Sequence, residues 1–203
     1  MISLSELHTD ALCEIFNIGA GRAASSLSEI IGEEVQLSVP HVQIFPSSEI
    51  QAQKLPLDSA RVGAVRQHFS GPFDAIAMLL FTEERALEIV RDMMGSHVSL
   101  AELAEFEQDA MCELGNIILN ACLSAMADLL GLTLQSTLPQ YTVDSPEFLL
   151  QNITGEIDQP VMMALHIDLT IEKRQTQGCL VFLLSTSSLK EFLSHIDAFI
   201  TGI

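Results

Sequence analysis

Two short segments of the chain carry the same polar residues at the same spacing. Residues 10–17 read DALCEIFN and residues 109–116 read DAMCELGN. Asp10, Ala11, Cys13, Glu14 and Asn17 recur as Asp109, Ala110, Cys112, Glu113 and Asn116 at one constant offset. The same offset carries Gly32 to Gly131 and Pro40 to Pro139. On a helix, positions i, i+4 and i+7 fall within an arc of about 60°. Asp10, Glu14 and Asn17 therefore line one stripe, and Asp109, Glu113 and Asn116 line another. Each long helix also has an apolar stripe to bury, so the polar stripe is expected to face solvent or a partner.

A single Glu or Asn on a helix is usually an ordinary solvated position. Asparagine in mid-helix is less ordinary, because its side chain competes with its own backbone, and here it stands in both copies. Its carboxamide is no base, but it offers one acceptor and two donors and can hold and aim a water molecule. Phosphoryl transfer asks for positioning and charge stabilisation more than covalent chemistry. A water-aiming amide suffices if another molecule brings the phosphoryl group and its Mg²⁺. The carboxylate of Glu14 or Glu113 can then pair with a lysine on that molecule and fix the register.

Other chemistries find less support. There is no Ser/His/Asp triad pattern, no Walker loop and no H-E-x-x-H. The four cysteines, Cys13, Cys112, Cys122 and Cys179, form no C-x-x-C pair, and no histidine stands at zinc-finger spacing. They are expected to be reduced, small apolar residues; a nucleophilic thiol would want a histidine beside it, and neither motif has one.

The repeat extends beyond the motifs. Ala75–Thr82 (AIAMLLFT) resembles Cys179–Thr186 (CLVFLLST), and each is followed by a helical pattern, at Glu83–Met94 and at Ser187–Phe199. Each half reads as a long helix, about three strands and a shorter helix. In the first half, Ser3-Leu4-Ser5-Glu6 offers a capping box and Gly32 a stop. Strands are expected at about 35–45, 61–70 and 73–81, with a loop over 45–57. In the second half, Ser99-Leu100-Ala101-Glu102 repeats the capping box and Gly131 the stop. Strands are expected at about 132–142, 160–172 and 178–185, with a loop over 144–159. Gly19 and Gly21 sit inside the first long helix, where they suit either tight packing or partner docking. Only Gly95-Ser96-His97 joins the halves. One continuous α+β domain over 1–203 is therefore expected, built from repeats at about 1–97 and 98–203 with pseudo-twofold symmetry.

Composition narrows the class. The 203 residues are 48% hydrophobic, which argues against long disorder. With 27 acids against 9 bases the net charge is −18, so nucleic-acid binding is not expected. No uninterrupted apolar run reaches the ~20 residues of a membrane span. The N-terminus has no basic segment of a signal peptide, so a cytoplasmic location is expected.

The pattern Asp-x3-Glu-x2-Asn, followed at a fixed distance by Pro, resembles the CheC/CheX/FliY family of phosphatases that act on the chemotaxis response regulator CheY. Both copies match, through Asp10, Glu14, Asn17 and Pro40 and through Asp109, Glu113, Asn116 and Pro139. The phrase Asn17-Ile18-Gly19-Ala20-Gly21 looks most like CheC. The resemblance implies long helices packed on an antiparallel sheet. It implies that Asn17 and Asn116 position the attacking water and that Glu14 and Glu113 anchor the regulator's lysine. Asp10 and Asp109 would contact the partner, while Pro40 and Pro139 would shape the start of a strand. The Mg²⁺ would belong to the partner, so no metal or cofactor site of the chain's own is expected. Two intact motifs point to CheC over CheX, which keeps one, and the length leaves no room for the further domain of FliY. CheC proteins can also bind a CheD-like deamidase. The alternative reading is a non-catalytic adaptor that grips a receiver domain or such a deamidase. Phe16, where the second copy has Gly115, is the main departure.

Overall fold

The computed structural model describes residues 4–94, 100–171 and 174–202. The first long helix, α1, spans Glu6–Ile31. Its N-cap is Ser5, whose hydroxyl accepts from the His8 backbone N–H at 3.2 Å, while the Ser5 N–H donates to His8 Nδ1. The capping box thus uses Ser5 and His8, not the expected Ser3–Glu6 pair, because the helix starts two residues later. Gly32 closes α1 in the left-handed conformation (φ 77°), its N–H returning to Ser28 O. Leu12, Ile15, Phe16, Gly19, Ala20, Ala23 and Leu27 recur every three or four residues and are buried.

From α1 the chain enters β1 (Val35–Pro46), β2 (Val62–Ser70) and β3 (Ala75–Thr82), then α2 (Glu83–Met94). The second half runs through α3 (Leu100–Leu130), β4 (Gln135–Ser136), β5 (Gln140–Asp144), α4 (Pro146–Thr154), β6 (Pro160–Ile171), β7 (Arg174–Ser185) and α5 (Thr186–Thr201). All strand pairs are antiparallel. The strands form one sheet in the order β1-β6-β7-β3-β2-β4, with β5 also on β2. At its centre β3 and β7, the two segments whose sequences resemble each other, pair from Ala75↔Leu184 to Leu80↔Cys179. The expected α+β fold, with long helices on an antiparallel sheet, is what the chain adopts.

The sheet is covered on both sides, which explains the unbroken apolar run in β3. Ala75, Ala77, Leu79 and Phe81 join the larger core under the long helices. Ile76, Met78 and Leu80 join a smaller core under α4 and the chain around Leu55. By length and composition, Phe106–Leu130 within α3 is apolar enough to cross a membrane, yet more than half of that stretch is buried in this fold.

Several boundaries differ from expectation. The segment expected as a loop over 144–159 contains α4. Ser145 caps it by accepting from the Phe148 N–H, and Pro146 occupies the first turn, where a missing N–H costs nothing. Pro146 therefore starts a helix inside the segment expected as a loop. The strand expected at 132–142 is split into β4 and β5, interrupted at 137–139. β7 starts at Arg174, earlier than 178. The loop at 45–57 holds short 3-10 turns at Ser47–Glu49 and Ala52–Lys54. The junction Gly95-Ser96-His97 and the capping serine Ser99 lie outside the described residues.

The long helices approach closely at Gly19. A Cβ there would stand 2.4 Å from Cys122 Cα, whereas one at Gly21 would meet nothing within 4 Å. Of the two readings of these glycines, Gly19 matches tight packing and Gly21 does not. Gly19→Ala is expected to force α1 from α3 and lower stability by about 1–3 kcal/mol. Gly21→Ala is expected to raise it by about 0.5–1 kcal/mol. Urea unfolding of both variants checks this pair; equal effects would contradict the packing account.

Candidate functional site

Burial of the apolar stripe leaves the motif residues on the outer side of each long helix. Asp10 and Glu14 are exposed and Asn17 is half-buried; Asp109 and Glu113 are exposed and Asn116 is half-buried. Neither asparagine is sealed inside. Glu14 and Glu113 have no hydrogen-bond or ion-pair partner among the described residues, so both carboxylates stand free for a cation from outside.

The two carboxamides are used differently. Asn17 Oδ1 accepts from the Val39 N–H at 2.8 Å, and its Nδ2 donates to Val39 O at 3.1 Å and Cys13 O at 2.8 Å. The side chain therefore pairs with Val39 as a neighbouring strand would. It does so where β1 breaks register with β6, between Ser38 and His41. Pro40 lies in that irregularity, inside β1 rather than at its start. A backbone that bulges out of a ladder leaves N–H and C=O groups to satisfy, and Asn17 satisfies both groups of Val39.

Asn116 makes no such bond to the equivalent break at 137–139. Its Oδ1 accepts from Asn120 Nδ2 at 2.7 Å and, more weakly, from Gln67 Nε2 at 3.5 Å. Asn120 Nδ2 also donates to the backbone carbonyl of Asn116 at 2.8 Å, and Gln67 Nε2 to that of Thr137 at 3.0 Å. The Asn116 NH₂ donates to nothing among the described residues. Pro139 directly precedes β5, and its carbonyl accepts from Cys112 Sγ at 3.8 Å.

The departure at Phe16 is core packing. The ring is fully buried with its centroid 5.4 Å from that of Phe182. At Gly115 the space belongs to Val65, which a Cβ would meet at 2.3 Å. The cysteines are poor nucleophiles. Burial, then the charge of Asp10, pushes the Cys13 thiol up. For Cys112, burial and Asp109 outweigh a lowering hydrogen bond near Tyr141. Cys122 and Cys179 are buried and pushed to about 12. All four stay protonated near neutral pH.

Among the described residues no group of three or more His, Cys, Asp or Glu side chains is placed to hold a metal. The cavity lined by His68, Asp74 and Ser188 and that lined by Ser38, Arg85 and Asp168 include no motif residue. A polar stripe on an open helix face suits contact with another protein better than a small molecule, which wants a concave pocket.

Sequence reading brought out all six motif residues but missed Val39, Gln67 and Asn120, which decide how the two carboxamides are held. The available signal was Gln67, a polar residue between Val65 and Phe69 on the inward face of β2.

Known proteins resemble the chain in sequence and in fold. A CheC-like family model matches residues 7–44, which contain the whole first motif and Pro40. The CheY-P phosphatase CheC of Bacillus subtilis is 25% identical over 171 residues, covering 83% of this chain and 81% of that protein. The flagellar motor switch phosphatase FliY of Bacillus subtilis is 30% identical over 158 residues, covering 75% of this chain but only 38% of that protein. The crystal structure of Thermotoga maritima FliY superposes with a TM-score of 0.76 at 18% identity, covering 98% of this chain and 100% of that one, which shows a shared fold.

The unequal bonding gives a stability prediction. Asn17→Ala strands both polar groups of Val39 and is expected to cost about 2–4 kcal/mol, whereas Asn116→Ala is expected to cost about 1 kcal/mol or less. Urea unfolding of the two variants measures this, and a larger cost at Asn116 would contradict the assignment. Motif, family model and fold together bear out the resemblance to the CheC-like family.

Proposed function

We propose that the chain accelerates hydrolysis of the aspartyl phosphate on a CheY-like response regulator, and that the second motif does most of the work. The relatives support the reaction class, being named CheY-P phosphatase CheC and motor switch phosphatase FliY. The observation that carries the assignment within the chain is the unengaged NH₂ of Asn116, half-exposed on the same stripe as the free carboxylate of Glu113.

In this reading a receiver domain docks along α3 with its own Mg²⁺ and phosphoryl group. Glu113 pairs with a lysine of the regulator and sets the register. The Asn116 NH₂ donates to one lone pair of a water molecule and leaves the other directed at phosphorus. The water oxygen bonds to phosphorus as the bond to the aspartyl oxygen breaks. The carboxylate stays on the regulator, and inorganic phosphate leaves carrying both protons of the water, one of which passes to solvent near neutral pH. The amide supplies placement, and the partner's metal supplies charge stabilisation. Asp10 and Asp109, both exposed, lie beside the proposed contacts.

The first motif fits the adaptor reading better. Glu14 is as free as Glu113, but Asn17 must release Val39 before its donors can meet a water. Docking there without efficient turnover is the expected behaviour.

Decay of the phosphorylated regulator tests this. Asn116→Ala is expected to slow assisted decay by about 10²-fold or more, Asn17→Ala by much less after allowance for its lower stability, and the double variant to leave only intrinsic decay. Assisted decay that survives in the double variant would refute the role of the carboxamides. Equal losses in both single variants would refute the ranking.

A further inference from the structure

Gln67 is poorly placed by ordinary packing rules. It lies in β2 between Val65 and Phe69, on the face against the long helices, and is 1% exposed. Its Nε2 is bonded, but its Oε1 is buried and accepts nothing among the described residues. An apolar side chain would fill the position without that desolvation cost. Asn120 stands one turn beyond Asn116 on α3, half-buried, with its Nδ2 donating both to the backbone carbonyl and to the Oδ1 of Asn116.

We propose that Gln67 and Asn120 are positioning residues that hold the Asn116 carboxamide with its oxygen inward and its NH₂ outward, towards a docked regulator. The inference rests on the function proposed above. Its geometry follows from fixed partners. The Thr137 carbonyl can only accept, so Gln67 turns Nε2 towards it; the backbone carbonyl of Asn116 can only accept, so Asn120 turns Nδ2 towards it. Both amide nitrogens then converge on Asn116 Oδ1, at 2.7 Å and 3.5 Å. Reversing the Asn116 amide would set its NH₂ against two other NH₂ groups. The first motif has no such clamp: the counterpart of Asn120 at the repeat offset is Gly21, and Asn17 is held by the Val39 backbone instead.

The test uses the full chain with Asn120→Ala, which keeps a good helix former, and Gln67→Met, which keeps an unbranched side chain without the amide. Each is expected to lower kcat for decay of the phosphorylated regulator about tenfold while KM changes less than about twofold. In an Asn116→Ala background neither is expected to lower the rate further. ¹⁵N relaxation of the Asn116 side-chain amide is expected to report a rigid group in the wild type and a mobile one in Asn120→Ala. Unchanged kcat, an equal loss in the Asn116→Ala background, or an Asn116 amide that stays rigid would overturn the proposal. If the wild type fails to hasten decay, the function proposed above falls, and relaxation still decides whether Asn116 is clamped. Should one variant not fold, the other carries the same expectations.

Discussion

A carboxamide on a helix has two donors and one acceptor group, and what it gives to its own protein it cannot give to a visitor. That constraint organises the rest of the molecule. At Asn17 the polar atoms go to Val39 and Cys13, and the bulged edge strand β1 is tied to α1. At Asn116 the oxygen is occupied from within by Asn120 while the nitrogen is left over. Identical residues at identical spacing thus serve different ends because the strand beside each helix is different.

The sheet makes that comparison meaningful. β3 and β7, counterparts in the repeat, pair at its centre, and the other strands are arranged outward from them in matching order. β1 on β6 corresponds to β4 and β5 on β2, and both edges break at the repeat proline, at Pro40 and at Pro139. Where the halves differ, packing explains it. Phe16 fills against Phe182 what Gly115 leaves to Val65. The close contact of Gly19 with Cys122 joins α1 to α3, so each polar stripe is kept on the outside by what is buried on its opposite face.

Local signals made much of this legible in the sequence. The apolar period of α1, the left-handed glycines at 32 and 131, and the apolar runs of β3 and β7 depend on neighbours close in the chain, and these features fall where the sequence places them, although α1 begins two residues later and β7 four residues earlier than expected. The polar stripes followed from helix geometry alone. α4 was missed because Ser145-Pro146 both ends an extended segment and caps a helix, and the choice depends on Leu149, Leu150 and Ile153 finding a sheet face to bury against. The long-range hydrogen bonds of the two asparagines were the part least legible in the sequence. Val39 is 22 residues from Asn17 and Gln67 is 49 from Asn116, and no local pattern records which strand comes to lie beside which helix.

The most direct test of the central claim follows both side-chain amides by NMR while a regulator with Mg²⁺ and beryllofluoride is added. The Asn116 NH₂ resonances are predicted to shift or broaden at the lowest regulator concentrations, while those of Asn17, held by Val39, respond less even where the regulator docks at the first motif. A response confined to Asn17, or none at either asparagine despite binding, would contradict it.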